Sequence, residues 1–108
     1  MTTYRRGDLV LVAFPFASGT QTKQRPAVVV FDAGDADVMV SRVTTQTYQS
    51  AYDVLILDWQ GAGLLAPSVI RLHKVATIEK ALIRRALGQL QPPDLQRVIS
   101  VLQQIFGV

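Results

Sequence analysis

Arg25, held against Pro26, is the strongest candidate for chemistry in this chain. Its guanidinium is permanently charged and presents a planar fork of donors that matches phosphate oxygens. Pro26 restricts Arg25 to extended geometry and fixes its own φ, so a stiff backbone can hold the fork in one direction. Lys23 adds to the same positive field, and no acidic residue occurs between Asp8 and Asp32. Downstream, Thr44 and Thr45 can each place a hydroxyl near a phosphate. Every one of these features has a plainer alternative. Arg25 also reads as a solvated hairpin shoulder, Lys23 as a loop lysine, and the threonines as β-branched residues that end a strand. Phe14 and Phe16 can offer faces for base stacking or pack in a core. Trp59 can meet a partner or cover the end of a barrel.

Other chemistries are excluded by residue type. There is no GxxxxGK[ST] and no GxGxxG opening a helix, so nucleotide-binding loops of those kinds are absent. With one histidine and no cysteine, a protein-only zinc site, a disulfide framework and thiolate catalysis all fall away. A Ser-His-Asp triad would need His73, which reads as a strand-edge surface residue. Asp35 and Asp37 read as turn residues rather than an acid/base pair. No metal or cofactor is expected.

The elements that must position these residues follow from length and pattern. A chain of 108 residues fits one domain spanning 1–108, and 49% hydrophobic content supplies a core. Charged residues make up 18%, below the usual quarter, which suggests apolar surface covered in an oligomer. A net charge of +3 is compatible with nucleic acid. The lead MTTYRRGD lacks the apolar core of a signal peptide, and no apolar run approaches the ~20 residues that span a bilayer. A soluble, cytoplasmic protein without membrane contact is expected.

Leu9–Phe14 is a nearly continuous apolar run of strand formers. A polar loop from Ser18 to Gln24 ends at Arg25-Pro26, and Ala27–Phe31 follows as a second strand. Val38–Val43 reads as a third strand and Tyr52–Leu57 as a fourth. Val69–Leu72 is a short fifth strand that leads toward a helical turn at Ile78–Lys80. Ala81–Gln89 permits strand or helix, and Gly88 favours strand. Leu95, Val98, Ile99, Leu102, Ile105 and Phe106 recur at helical spacing after Pro92-Pro93-Asp94, which is a helix-start signal. Short, regularly punctuated strands and one C-terminal helix predict a mainly β fold, a small antiparallel barrel.

The pattern resembles the MazF/PemK family of toxin endoribonucleases from bacterial toxin–antitoxin modules. The matching residues are Arg6-Gly7-Asp8, Phe14-Pro15-Phe16, Gln24-Arg25-Pro26-Ala27-Val28-Val29-Val30 and Val43-Thr44-Thr45-Gln46. Gly63-Leu64, Pro67-Ser68-Val69, Lys74-Val75-Ala76-Thr77-Ile78 and Leu87-Gly88-Gln89-Leu90 continue in the family's order. The resemblance implies an SH3-like β-barrel with a C-terminal helix, usually a homodimer. It implies metal-independent cleavage of single-stranded RNA and silencing by a cognate antitoxin in the RNA groove. The catalytic arginine maps onto Arg25 and the catalytic threonine onto Thr44. Phe16, Thr20, Gln21, Lys23, Thr45 and Gln46 are the implied RNA contacts. Many relatives carry Gly-Ser-Glu-Gln in the first loop. Here the stretch is Ser18-Gly19-Thr20-Gln21, so Thr20 replaces the carboxylate and the relatives' recognition motif does not carry over.

The implied mechanism uses the RNA's own 2′-oxygen as nucleophile. The protein then has to align that oxygen and stabilise charge on the phosphorane. Arg25 serves as the charge stabiliser, since arginine holds its proton too tightly to act as a base. Two alternatives use the same fold without cleavage. One is a topoisomerase inhibitor like the CcdB toxins, whose C-terminal Trp-Gly-Ile type ending is not matched by Ile105-Phe106-Gly107-Val108. The other is a plain SH3-like module that binds RNA or protein.

Overall fold

The computed structural model describes residues 2–15 and 22–107. The strands are β1 (Asp8–Pro15), β2 (Thr22–Phe31), β3 (Asp37–Thr44), β4 (Asp53–Leu55), β5 (Val69–Glu79) and β6 (Ile83–Gln89). A 3₁₀ turn, Lys80–Leu82, joins the last two, and helix α1 spans Pro92–Phe106. The fold is mainly β, with all strands in one antiparallel sheet ordered β4-β5-β3-β2-β1-β6. The two edge strands do not pair with each other, so the curled sheet is barrel-like without being closed by hydrogen bonds.

The central strands bury both faces, which is why they read as apolar runs rather than as alternation. On one face Leu9, Val28, Val30, Val43, Ile70 and Leu72 join Val98 and Leu102 of α1. On the other, Val10, Val12, Ala27, Val29, Val38 and Val40 form a second cluster. Register keeps the two sets apart: Leu9 opposes Val28, and Val10 opposes Ala27. Burying Val98 and Leu102 contributes roughly 1.5–3 kcal/mol each.

Pro92 and Pro93 start α1, and Asp94 secures it. The Asp94 carboxylate accepts the N–H groups of Leu57 and Asp58 at 3.0 and 2.9 Å and also pairs with Arg97. This docks the helix start against the segment that follows β4. Gly107, at φ 69°, caps the other end in the left-handed region that glycine tolerates. No helix among the described residues is long and apolar enough to cross a membrane.

Most strand bounds shift by a residue or two, and the larger differences from expectation lie in β2, β4, β5 and the helical turn. β2 begins at Thr22 rather than Ala27, so Lys23, Gln24, Arg25 and Pro26 lie on a strand and not in a loop. The fourth strand is shorter than Tyr52–Leu57, covering Asp53–Leu55. The fifth is one long strand through Glu79, and the helical turn comes after it, at Lys80–Leu82 instead of Ile78–Lys80. In each long strand, pairing with a neighbour extends polar sequence that carries little strand signal of its own.

Candidate functional site

β2 changes partners at Pro26. From Thr22 to Pro26 it is registered against β1 alone, and from Ala27 onward it also pairs with β3. Proline has no N–H to give a ladder. The register runs Val29↔Val40, Val28↔Ser41, Ala27↔Arg42 and stops there. Carried two residues further, it sets Arg25 across from Thr44. Both residues line one cavity of about 290 Å³, together with Lys23, Arg42, Thr45, Gln46 and Ser68. The strands part just where the two candidate residues stand, and the gap between them is the groove.

Thr44 ends β3 and is 8% exposed. Its Oγ1 accepts the N–H of Gln46 at 3.1 Å. A hydroxyl has one donor hydrogen beside its acceptor lone pairs, so this contact orients Thr44 and leaves its O–H free to donate. The same turn carries Thr45 and Gln46 into the groove. Ser68 precedes Val69, the register partner of Thr44, and is buried there, donating to the carbonyl of Ala66 at 2.9 Å.

The groove continues on both sides. One lobe, of about 380 Å³, is lined by Phe14, Lys23, Arg25, Arg42, Val75 and Lys74. The other, of about 210 Å³, shares Pro26, Thr45 and Ser68 and adds Arg85 and Leu65. Five cations thus line adjoining lobes that share residues, and among the described residues no carboxylate lines any of them. The ion pairs among the described residues are Arg71–Asp53, Lys80–Asp32 and Arg97–Asp94, none of which uses a groove cation. A similar cavity of about 390 Å³ between β2, β3 and α1 holds Arg6 as its one cation. Arg6 Nε already donates to the carbonyl of Val30 at 2.9 Å. The two cavities therefore differ in charge, with the cations gathered in the Arg25 groove.

Of the residues expected at the site, Arg25, Thr44, Lys23, Thr45 and Gln46 come together. Phe16, Thr20 and Gln21 lie outside the described residues. Phe14 is half-buried against the second core cluster and also lines the groove. Trp59 packs against the first cluster, and His73 is exposed on β5. Asp35 serves its turn, accepting the N–H of Asp37 at 3.0 Å.

Sequence reading missed Arg42, Lys74 and Ser68. Arg42 had a signal: it is the lone charge in the run Val38–Val43, two residues from Thr44 and so on the same face. Lys74 had none. It reaches the groove because the β3–β5 register jumps from Ser41↔Val75 to Arg42↔Arg71, a bulge that leaves Leu72, His73 and Lys74 without a register partner on β3. Ser41, buried, fastens the bulge by donating to the carbonyl of Leu72 at 3.2 Å.

Two carboxylates away from the groove titrate low. Asp32 is held down to about 2 by the N–H of Tyr4 and by the Lys80 ammonium, with Gly34 N–H adding to both. Burial pushes Asp53 upward, but hydrogen bonds from Ser50 and the Arg71 guanidinium outweigh it and hold the carboxyl below its ordinary range. Among the described residues, no three of His, Cys, Asp and Glu gather as metal ligands.

The fold is shared with solved toxin structures. A MazE–MazF complex from Deinococcus radiodurans matches with TM-score 0.79 at 19% identity, covering 99% of each chain. An endoribonuclease in complex with its cognate antitoxin, from a mycobacterial species, matches with TM-score 0.77 at 18% identity, covering 95% of this chain and 94% of that one. Mycobacterium tuberculosis toxin MazF-mt6 matches with TM-score 0.72 at 19% identity, covering 92% and 97%. No curated protein matches the sequence significantly. These likenesses define a MazF-type fold. The family model for the PemK-like, MazF-like toxin of type II toxin–antitoxin systems matches residues 5–106, and the chain belongs to that family.

Proposed function

We propose that this toxin is a sequence-selective endoribonuclease that cleaves single-stranded RNA without a metal ion. The observation that carries the proposal is the convergence of Arg25 and Thr44 on one carboxylate-free groove lined by further cations. A polyanion fits that field. The 2′-oxygen attacks the adjacent phosphorus, and the bond from phosphorus to the 5′-oxygen breaks. The 2′ proton leaves to solvent, and the departing 5′-oxygen takes up a proton. The products are a 2′,3′-cyclic phosphate and a 5′-hydroxyl. Arg25 lies against the developing phosphorane charge, and the Thr44 hydroxyl donates to a non-bridging oxygen. Lys23, Arg42, Thr45 and Gln46 hold the strand on either side, and Phe14 offers a stacking face.

Solved relatives in complex with antitoxins support a cognate antitoxin as partner; in this reading it covers the groove, and the toxin acts in the cytoplasm, where RNA is translated. A homodimer is supported by low overall charge and by exposed apolar side chains, Phe31 at 50% and Phe106 at 56%. The test is incubation of the purified protein with a long single-stranded RNA in EDTA. Discrete fragments bearing 5′-hydroxyl ends are expected. An intact RNA, or cleavage that appears only on adding magnesium, overturns the proposal.

A further inference from the structure

Gln46 reaches the groove with half of its amide already engaged. Tyr48 Oη donates to Gln46 Oε1 at 2.8 Å. The Tyr48 ring is itself anchored, since the Arg71 guanidinium carbon lies 3.7 Å from its centroid. Arg71 Nε donates to Asp53 Oδ1 at 3.0 Å. Asp53 Oδ2 in turn accepts the N–H and hydroxyl of Ser50 at 2.9 and 2.7 Å. The Asp53 side chain is 1% exposed and that of Arg71 15%, so the phenol stands on a buried foundation. From the other side, the Gln46 N–H is fixed on Thr44 Oγ1. A primary amide carries one acceptor oxygen and two N–H donors. Oε1 keeps a second lone pair, but the Tyr48 bond turns it toward the phenol and fixes the amide plane, so the two N–H donors are the side of Gln46 that stays uncommitted.

We infer that Gln46 reads a base of the bound strand and selects a carbonyl over an amino group at purine C6 or pyrimidine C4, hence guanine or uracil, with Tyr48 setting that choice by holding the amide oxygen. The inference rests on the ribonuclease reading of the groove and adds which base edges the groove takes. A glutamine with both ends free pairs bidentately with N6 and N7 of adenine. That pairing needs Oε1 to accept from the adenine amino group, and Tyr48 competes for that oxygen and holds it in another direction. The amino groups of adenine and cytosine would bring hydrogens against hydrogens. The O6 of guanine and O4 of uracil accept from the amide instead. Tyr48 is a positioning residue here, acting through Gln46.

The test uses two matched sets of short single strands in which each position around the cleaved bond is varied through four bases. One set is RNA, read by cleavage rate. The other is 2′-O-methylated throughout, cannot be cut by 2′ attack, and is read by fluorescence anisotropy. Wild type should favour guanine or uracil over adenine or cytosine by about tenfold at one position in both sets. Tyr48→Phe keeps the ring over Arg71 and frees the amide oxygen. It should lower the keto-to-amino ratio severalfold by raising adenine. Gln46→Glu presents oxygens alone and should turn the preference toward adenine and cytosine. A wild-type ratio within twofold at every position, or an unchanged profile in Tyr48→Phe, overturns the inference while leaving the ribonuclease reading standing. If wild type cuts no RNA, the ribonuclease reading falls, and the anisotropy set still decides the base preference.

Discussion

Arg25 and Thr44 face one groove from neighbouring strands, two residues past Ala27↔Arg42, where the registered pairing of β2 and β3 stops. The first supplies a fixed charge and the second a hydroxyl whose acceptor side is already used by Gln46 N–H. Arg25→Ala should cut the cleavage rate by about 10²–10³, as loss of a transition-state donor does, with an unchanged circular dichroism spectrum. Arg25→Lys should recover little, because a point charge lacks the fork. Thr44→Val should lower the rate and cost about 0.5–1.5 kcal/mol of stability through the lost Gln46 bond, whereas Thr44→Ser keeps both. A Thr44→Val protein that cleaves like wild type would remove the hydroxyl from the mechanism.

The unpaired groove cations set a salt dependence. Lys23, Arg25, Arg42 and Lys74 line connected lobes without a carboxylate among them. Four phosphate contacts give a slope of about −3 for log affinity against log salt on a single strand. Lys74→Gln should reduce that slope by about 0.7. Titrating the affinity for an uncleavable strand across salt concentrations measures both, and a slope near zero would contradict electrostatic binding in this groove.

Gly63 and Gly88 let two backbone segments touch. Gly63 has φ +89°, and a Cβ there would meet the carbonyl oxygen of Leu87, while a Cβ on Gly88 would meet that of Ala62. Gly63→Ala should therefore destabilise the protein by roughly 2–4 kcal/mol, from the left-handed backbone and the overlap together. Chemical denaturation reads this directly. A shift under about 0.5 kcal/mol, the range of ordinary surface substitutions, would show that the segments can separate.

Asp32 gives acid sensitivity with a definite sign. Its folded carboxyl sits at about 2 against an ordinary 3.8, so the native state binds fewer protons than the unfolded chain. The contribution is full above 3.8 and is lost as pH falls through 2. Asp53, also lowered, adds in the same direction. Denaturant midpoints should fall across that window, and Asp32→Asn should fall less steeply. Parallel curves for the two proteins would mean that the Tyr4 and Lys80 contacts do not hold the carboxylate in solution.

How far these features were legible depends on what fixed each one. The helix was readable because Leu95, Val98 and Leu102 repeat at its period and Pro92, Pro93 and Asp94 mark its start. The central strands showed as apolar runs because both their faces are buried. Arg25 and Thr44 were singled out as candidates by residue type and by their order along the chain, and neither told that they share a groove. That depends on the β2–β3 register and on where Pro26 ends it. Lys74 depends on a bulge in β5, and the Tyr48–Arg71–Asp53 chain joins residues from a loop and two strands. Such juxtapositions are set by tertiary pairing and leave no local pattern.

In the proposed mechanism the RNA's own 2′-oxygen is the nucleophile, with Arg25 and Thr44 acting on the phosphate it attacks. The most direct measurement uses one cleavable RNA and a copy carrying a single 2′-deoxy nucleotide immediately 5′ of the scissile phosphate, both in EDTA. The account predicts that the all-ribose strand is cut to a 2′,3′-cyclic phosphate and a 5′-hydroxyl, and that the substituted strand binds but stays intact. Cleavage of the substituted strand at the same bond would contradict it.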